Sequence, residues 1–318
     1  MSTSLSEIAQ LGRAAVKYQL ASVLTVAHSV VLSQIGGFVT ALDAEMTNSK
    51  YNVLSPKLVG QWRDAVAGCG GDEGVCASVL LGTLLARAPA RASSRRIPAE
   101  LLESLCEQLY RIALELVAGT PLHTRLVDAV FLKELGICRL EVLPCKSLIV
   151  DKNSGVPRRL AFSGGIGQTL RVLRLIALTR VRLRPYFEIH AHTPMINHFN
   201  PPGWDHCYRL VAVLLRRYPE YRGLVGGSWF FDPEVSRISP HLEYLIRRPQ
   251  AAGAVFFRVG TSQSDIDNAT AKSRHRRKLY EDGKYVPTSY FMVWPREQLL
   301  EWAEHSTGEG LNRPVSAS

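Results

Sequence analysis

Apolar residues recur at three- and four-residue spacing from Ser4 to Gly136, and beyond Gly136 the pattern shortens to alternation and brief apolar runs. The first pattern predicts helices and the second strands. Ser4 with Glu7 three residues on makes a capping-box pattern at the head of SLSEIAQLGRAAVKYQLASVL. In SPKLVGQWRDAVAG a Ser precedes a Pro, which places a cap and then a residue whose φ is already helical. That stretch runs into the Gly-rich GCGGDEGV, read as a turn. CASVLLGTLLARA follows as a short apolar helix and PARASSRRIPAE as a basic connector. PAELLESLCEQLYRIALELVAG has the clearest amphipathic pattern, with Leu101, Leu105, Leu109, Ile112 and Leu116 on one face. PLHTRLVDAVFLKELG is expected to be helical as far as Gly136.

The second half reads differently. CRLEVLPCKSLIVDKNSGVPRRLAFS predicts a hairpin turning at DKNSG. GGIGQTLRVLRLIALT predicts a Gly-rich turn into a helix, and RVRLRPYFEIHAHT an extended segment. Asn200 and two prolines open a helix through NPPGWDHCYRLVAVLLRRYPEY. Strands are expected at RGLVGGSWFFD, GAVFFRVG and TSYFMVW, with short helices at PHLEYLIRR, a basic helix at ATAKSRHRRKLYEDG, and a closing helix at PREQLLEWAEH. The fold class that results is α/β, or α+β: a helical N-terminal region over 1–136, a mixed-sheet α/β catalytic domain over 137–305, and a disordered tail over 306–318.

Composition narrows this picture modestly. The 318 residues are 46% hydrophobic, enough for sizeable cores. Lys and Arg number 38 against 28 Asp and Glu, a formal net charge of +10 that favours an anionic partner. Nucleic acid is the disfavoured member of that class, because no aromatics interleave with the basic stretches in a stacking pattern. The six cysteines show no two-residue pairing, so free thiols and a cytoplasmic location are expected. Between Lys17 and Asp43 no residue is charged, which is long enough to span a bilayer. Its many polar side chains favour a buried helix instead, with membrane contact by 18–42 as the lesser reading.

The chemistry concentrates in FEIHAHTP, residues 187–194, where Glu188, His190 and His192 occupy every second position. On a strand all three side chains share one face. His198 and His206 follow closely, so four of the nine histidines lie within one short window. Two imidazoles on alternate strand positions can hold one metal, with Glu188, His198 or His206 as a further ligand. Two His and a carboxylate suit non-haem iron; three His suit zinc. The same stretch resembles the HxHT start of amidohydrolase-type metal-dependent hydrolases. Without metal, the three residues are general acid–base candidates.

KLYEDGKYVPTSYFMV, within residues 268–294, resembles the terminal helix–strand element of the GCN5-related N-acyltransferases, matching at Leu279, Tyr280, Glu281, Gly283 and Tyr285. The resemblance implies that Tyr280 protonates a departing coenzyme A thiolate. The basic residues Arg274, Arg276 and Arg277 then suit the phosphates of an acyl-CoA or acyl-carrier thioester. The family's Gly-rich pyrophosphate loop has its nearest counterpart in FSGGIGQTL, at Gly165 and Gly167, with Phe162 in place of Arg or Gln. The leading expectation is therefore acyl transfer from a thioester to a small-molecule amine, with Glu188, His190 or His192 as base and Tyr280 as acid. The alternatives are a metal-dependent enzyme using iron or zinc and a non-catalytic module for an anionic partner.

Overall fold

The structure, a computed structural model, describes residues 4–21, 28–45, 50–119, 125–126, 128–179 and 183–308. Two compact units divide the chain: Met1–Asn153 with Ala191–Asn197, and Ser154–His190 with His198–Ser318. The strands form a six-stranded mixed sheet in the order β1-β2-β3-β4-β6-β5, so the fold is α/β with a helical N-terminal region.

The first unit holds α1 (Leu5–Ala21), α2 (His28–Glu45), α3 (Pro56–Gly68), α4 (Glu73–Ala86), α5 (Ala88–Arg95), α6 (Ala99–Val117) and α7 (Ala129–Cys138), then β1 (Val142–Cys145) and nearly all of β2 (Leu148–Ser154). Caps set several of these starts. Ser55 accepts from the Leu58 amide with Pro56 in the first turn, and Asp72 accepts from Val75. The apolar helix faces close on one core that includes Ile8, Leu58, Leu84, Leu109 and Phe131. α1 and α4 approach through glycine. A methyl group at Gly12 would lie 2.8 Å from Leu85 Cβ, and one at Gly82 would lie 2.8 Å from Val16, so no larger residue fits either place.

Three expectations are corrected in this unit. The basic stretch after α4 is not a connector. Pro89 falls in the first turn of α5, where its missing N–H costs nothing. Arg91 and Arg95 of that helix pair with Asp43 at 2.6 Å and Glu141 at 2.5 Å. The hairpin turns not at DKNSG but at Lys146–Ser147, between Cys145 and Leu148, with Lys146 at φ 61°; DKNSG begins inside β2. Finally, the uncharged stretch 18–42 belongs to two helices, α1 ending at Ala21 and α2 starting at His28, with 22–27 outside the described residues. Among the described residues no single helix is long and apolar enough to cross a membrane. Only Pro56–Gly68 and Glu73–Ala86 together have the length, and they are bent by 109°.

The second unit is built from α8 (Gly165–Thr179), β3 (Tyr186–Ala191), α9 (Pro201–Arg217), β4 (Gly223–Ser228), α10 (Pro233–Ile238), α11 (Tyr244–Ala251), β5 (Val255–Gly260), α12 (Gln263–Thr270), α13 (Arg274–Glu281), β6 (Ser289–Pro295) and α14 (Arg296–Gly308). α14 takes in residues 306–308, expected as tail; 309–318 lie outside the described residues. The predicted basic helix starts later than ATAKSRHRRKLYEDG suggests, because its first two residues close α12, which Ser262 opens with a full capping box, and Ser273 caps α13 anew. β3 and β4 run parallel across α9, while β4, β6 and β5 pair antiparallel. A ring of edge-to-face aromatics, Trp204, Tyr208, Phe230, Phe231, Trp294 and Trp302, fills one part of this unit.

β5 ends the sheet, and α8 covers its edge through one side chain. The Gln168 amide donates to Arg258 O at 2.9 Å and accepts from Arg258 N at 2.8 Å, replacing one rung of a ladder. It also donates to Leu160 O at 2.7 Å. Gln168→Ala should destabilise this unit by about 2 kcal/mol, since it strips partners from part-buried backbone groups. Chemical denaturation with an unchanged m-value is the measurement; no shift in midpoint would contradict the clasp.

Candidate functional site

β3 and β4 pair in parallel, joined in register at Phe187 with Leu224 and Glu188 with Val225. In open α/β sheets, ligands collect at the carboxyl ends of such strands. Past the register the chain on β4 is Gly226, Gly227 and Ser228, and β4 keeps pairing with β6 through Ser228. A methyl group at Gly226 would lie 2.6 Å from the Ile189 side chain. Glycine is thus required for β3 to pass.

Glu188 is the unusual residue here, because it places a carboxyl in a central strand while remaining only 7% exposed. Buried carboxyl groups need partners. Ser154 Oγ, at the end of β2, donates to Glu188 Oε2 at 2.6 Å. His190 Nε2 stands 3.8 Å from the same oxygen, on the same strand face and half-buried. That separation suits an acid–base pair that tightens on substrate or through one water. Ser154 was not among the residues expected from sequence; its only signal was a hydroxyl closing a β-rich run.

The other expected residues are placed as follows. His192 is buried just beyond β3, in the first unit, and His198 ends the short 3-10 turn Thr193–His198. His206 is exposed on α9. The geometry lends the metal reading no support: among the described residues no group of three or more His, Cys, Asp or Glu side chains is placed to hold a metal ion. β3 ends at Ala191, so the alternation that would align His192 with Glu188 and His190 is not carried to that residue, and His206 faces solvent. All six cysteines are free thiols, five of them buried.

Tyr280 is half-buried in the last turn of α13, and Arg274 and Arg277 are exposed on the same helix. Arg276 is turned inward. Its guanidinium donates to Ala269 O at 2.7 Å and Ser239 Oγ at 3.0 Å and lies 4.8 Å over the Trp229 ring. Burial lowers its pKa. Gly165 and Gly167 are exposed at the start of α8, Gly165 with φ 75°, and a methyl group on either would meet nothing.

A cavity of about 420 Å³ lies in the same unit, and its lining includes Phe231, Ile246 and Phe256 together with Gln168, Arg171, Arg258 and Tyr290. Its volume is that of a small-molecule site. Burial, then Asp232, raises the Tyr290 pKa, which keeps the phenol a neutral donor at the rim. Burial also raises Asp232, although that carboxyl accepts from the Glu234 and Thr288 amides. Two guanidinium groups beside an apolar wall suit a ligand with an anionic end and an apolar body. Separate positions in the sequence supply these residues, and no local motif announces them.

The sequence matches no known family profile, and no curated protein matches it. Among solved structures, an acyltransferase in complex with decanoyl-CoA and teicoplanin is similar at a TM-score of 0.40 and 14% identity, covering 86% of this chain and 90% of that one.

Proposed function

We propose that this chain transfers an acyl group from a coenzyme A or carrier thioester to an amine. The observation that carries the reading is the Glu188 carboxyl, buried between Ser154 and His190 beside a parallel strand pair. A fold bears the cost of such a group where the group has work to do. In the proposed reaction Glu188, alone or with His190, takes the proton of the incoming ammonium. The free amine attacks the thioester carbonyl, a C–N bond forms, and the C–S bond breaks. The thiolate leaves and is protonated, for which Tyr280 is the candidate by resemblance. The cavity lined by Phe231, Phe256, Arg171 and Arg258 offers room for the acyl chain, and its guanidinium groups offer charge for phosphates of the thioester's carrier. Arg274 and Arg277 remain available for cofactor phosphates. A cytoplasmic location is part of this proposal.

The test is thiol release from a panel of acyl-CoA thioesters of increasing chain length, offered with a mixed amine pool and followed by mass gain of the acceptor. Turnover that free coenzyme A slows is the expected result. No thioester affinity at any chain length would remove the proposal and leave a non-catalytic module.

A further inference from the structure

α8 is built inside out. Its buried face carries Gln168, Val172 and Leu175, whereas three large apolar side chains project into solvent, Ile166 81% exposed, Leu170 61% and Leu173 55%, with Phe162 just before the helix 80% exposed. Ile166, Leu170 and Leu173 recur at i, i+4 and i+7 along the helix, so they form one ridge, and Phe162 stands just before the helix, ahead of Gly165 at φ 75°. At roughly 100° per residue, Leu170 and Leu173 fall within about 40° of Ile166, and the buried residues lie on the opposite side. Scattered exposed apolar residues are ordinary on a protein surface; an aligned ridge of three with a fourth exposed aromatic at its head is an interaction surface.

Charge identifies what the ridge meets. From Lys152 to Phe187 the sequence has eight Lys and Arg and no Asp or Glu. Of these, Arg158, Arg159, Arg171, Arg174 and Arg184 are exposed. Arg174 sits beside the ridge on α8, about a quarter-turn from Ile166, whereas Arg171 lies farther round the helix and lines the cavity of this unit. A second copy of this chain would bring like charges together across the ridge. An apolar ridge beside guanidinium groups fits a surface that is fluid and apolar below and anionic above.

We infer that α8 is an interfacial helix that seats the protein on an anionic lipid membrane, with Phe162, Ile166, Leu170 and Leu173 entering the acyl boundary and the flanking arginines meeting headgroup phosphates. The helix lies in the plane of the interface rather than across it, since its 15 residues are too few to span. This membrane contact differs from the one weighed for residues 18–42. It stands independently of the proposed acyl transfer.

The experiment is flotation of the full chain with vesicles of phosphatidylcholine, alone or doped with phosphatidylglycerol. Binding is expected only to the anionic vesicles and should weaken as salt rises. Ile166→Ser with Leu170→Ser should reduce partitioning about tenfold or more. Arg174→Glu should reduce it on anionic vesicles as well. These side chains are exposed, so thermal melting should be unaltered. A third variant, Ile166→Trp, should add a fluorescence component that brominated acyl chains quench. Equal binding to both vesicle types, no binding, or an unquenched Trp would overturn the inference. So would a concentration-dependent dimer lost in the Ser variant, or capture by an acidic carrier protein in place of vesicles.

Discussion

Glu188→Gln should lower acyl transfer by about 10²- to 10⁴-fold, the range expected when a positioned proton acceptor is removed. Gln preserves the volume and can keep a hydrogen bond to Ser154, now 2.6 Å from the carboxyl, so the packing of β3 is retained. The fall should appear in kcat more than in KM, because in the proposed reaction the carboxyl takes a proton and adds little to substrate binding. His190→Asn should cost less than Glu188→Gln if the imidazole relays the proton. The double variant should then be no slower than Glu188→Gln, since residues acting as one unit are not additive. Ser154→Ala should reduce the rate modestly by releasing the carboxyl from its donor. Wild-type turnover in Glu188→Gln would remove the carboxyl from the chemistry, and a lower melting temperature with unchanged turnover would make it a structural group.

How much of this was legible before the structure depends on how local the determinant is. Ser55 and Pro56 specify the start of α3 from adjacent residues, and the sequence reading places that helix correctly. The same holds for Asn200 and α9, whose cap accepts from the Gly203 amide at 2.9 Å. The hairpin is misread because DKNSG has strong turn composition, yet the apolar pairing of Val142 through Cys145 with β2 demands a turn earlier, at Lys146–Ser147. Tertiary pairing overrides turn propensity there. The alternation of Glu188 and His190 was visible as a strand pattern, whereas their third member, Ser154, lies 34 positions away and is joined only by the sheet. Gln168 and Arg258 are 90 positions apart, and nothing in either neighbourhood signals their amide clasp.

Arg276 illustrates the same limit and leads to the second large effect. A run of basic residues read in sequence offers several equivalent cations, and only packing distinguishes the one that turns inward. The cap by Ser273 sets the phase of α13, and that phase buries Arg276 while Arg274 and Arg277 face out. Arg276→Ala should destabilise the protein by about 2–4 kcal/mol. It leaves Ala269 O and Ser239 Oγ without their donor and removes the guanidinium from the Trp229 face. On a unit of this size the melting temperature should fall on the order of 10 °C. Arg276→Lys should recover only part of that, because an ammonium on a flexible stem cannot reproduce the planar fork. Arg274→Ala and Arg277→Ala should leave stability within about 0.5 kcal/mol of wild type. If they contact cofactor phosphates, they should raise KM for the thioester. Melting curves and steady-state kinetics on the four variants separate the two roles. A raised KM with unaltered melting in Arg276→Ala would return that residue to the cofactor, whereas lost stability with an unchanged KM fixes it as the internal brace of α13.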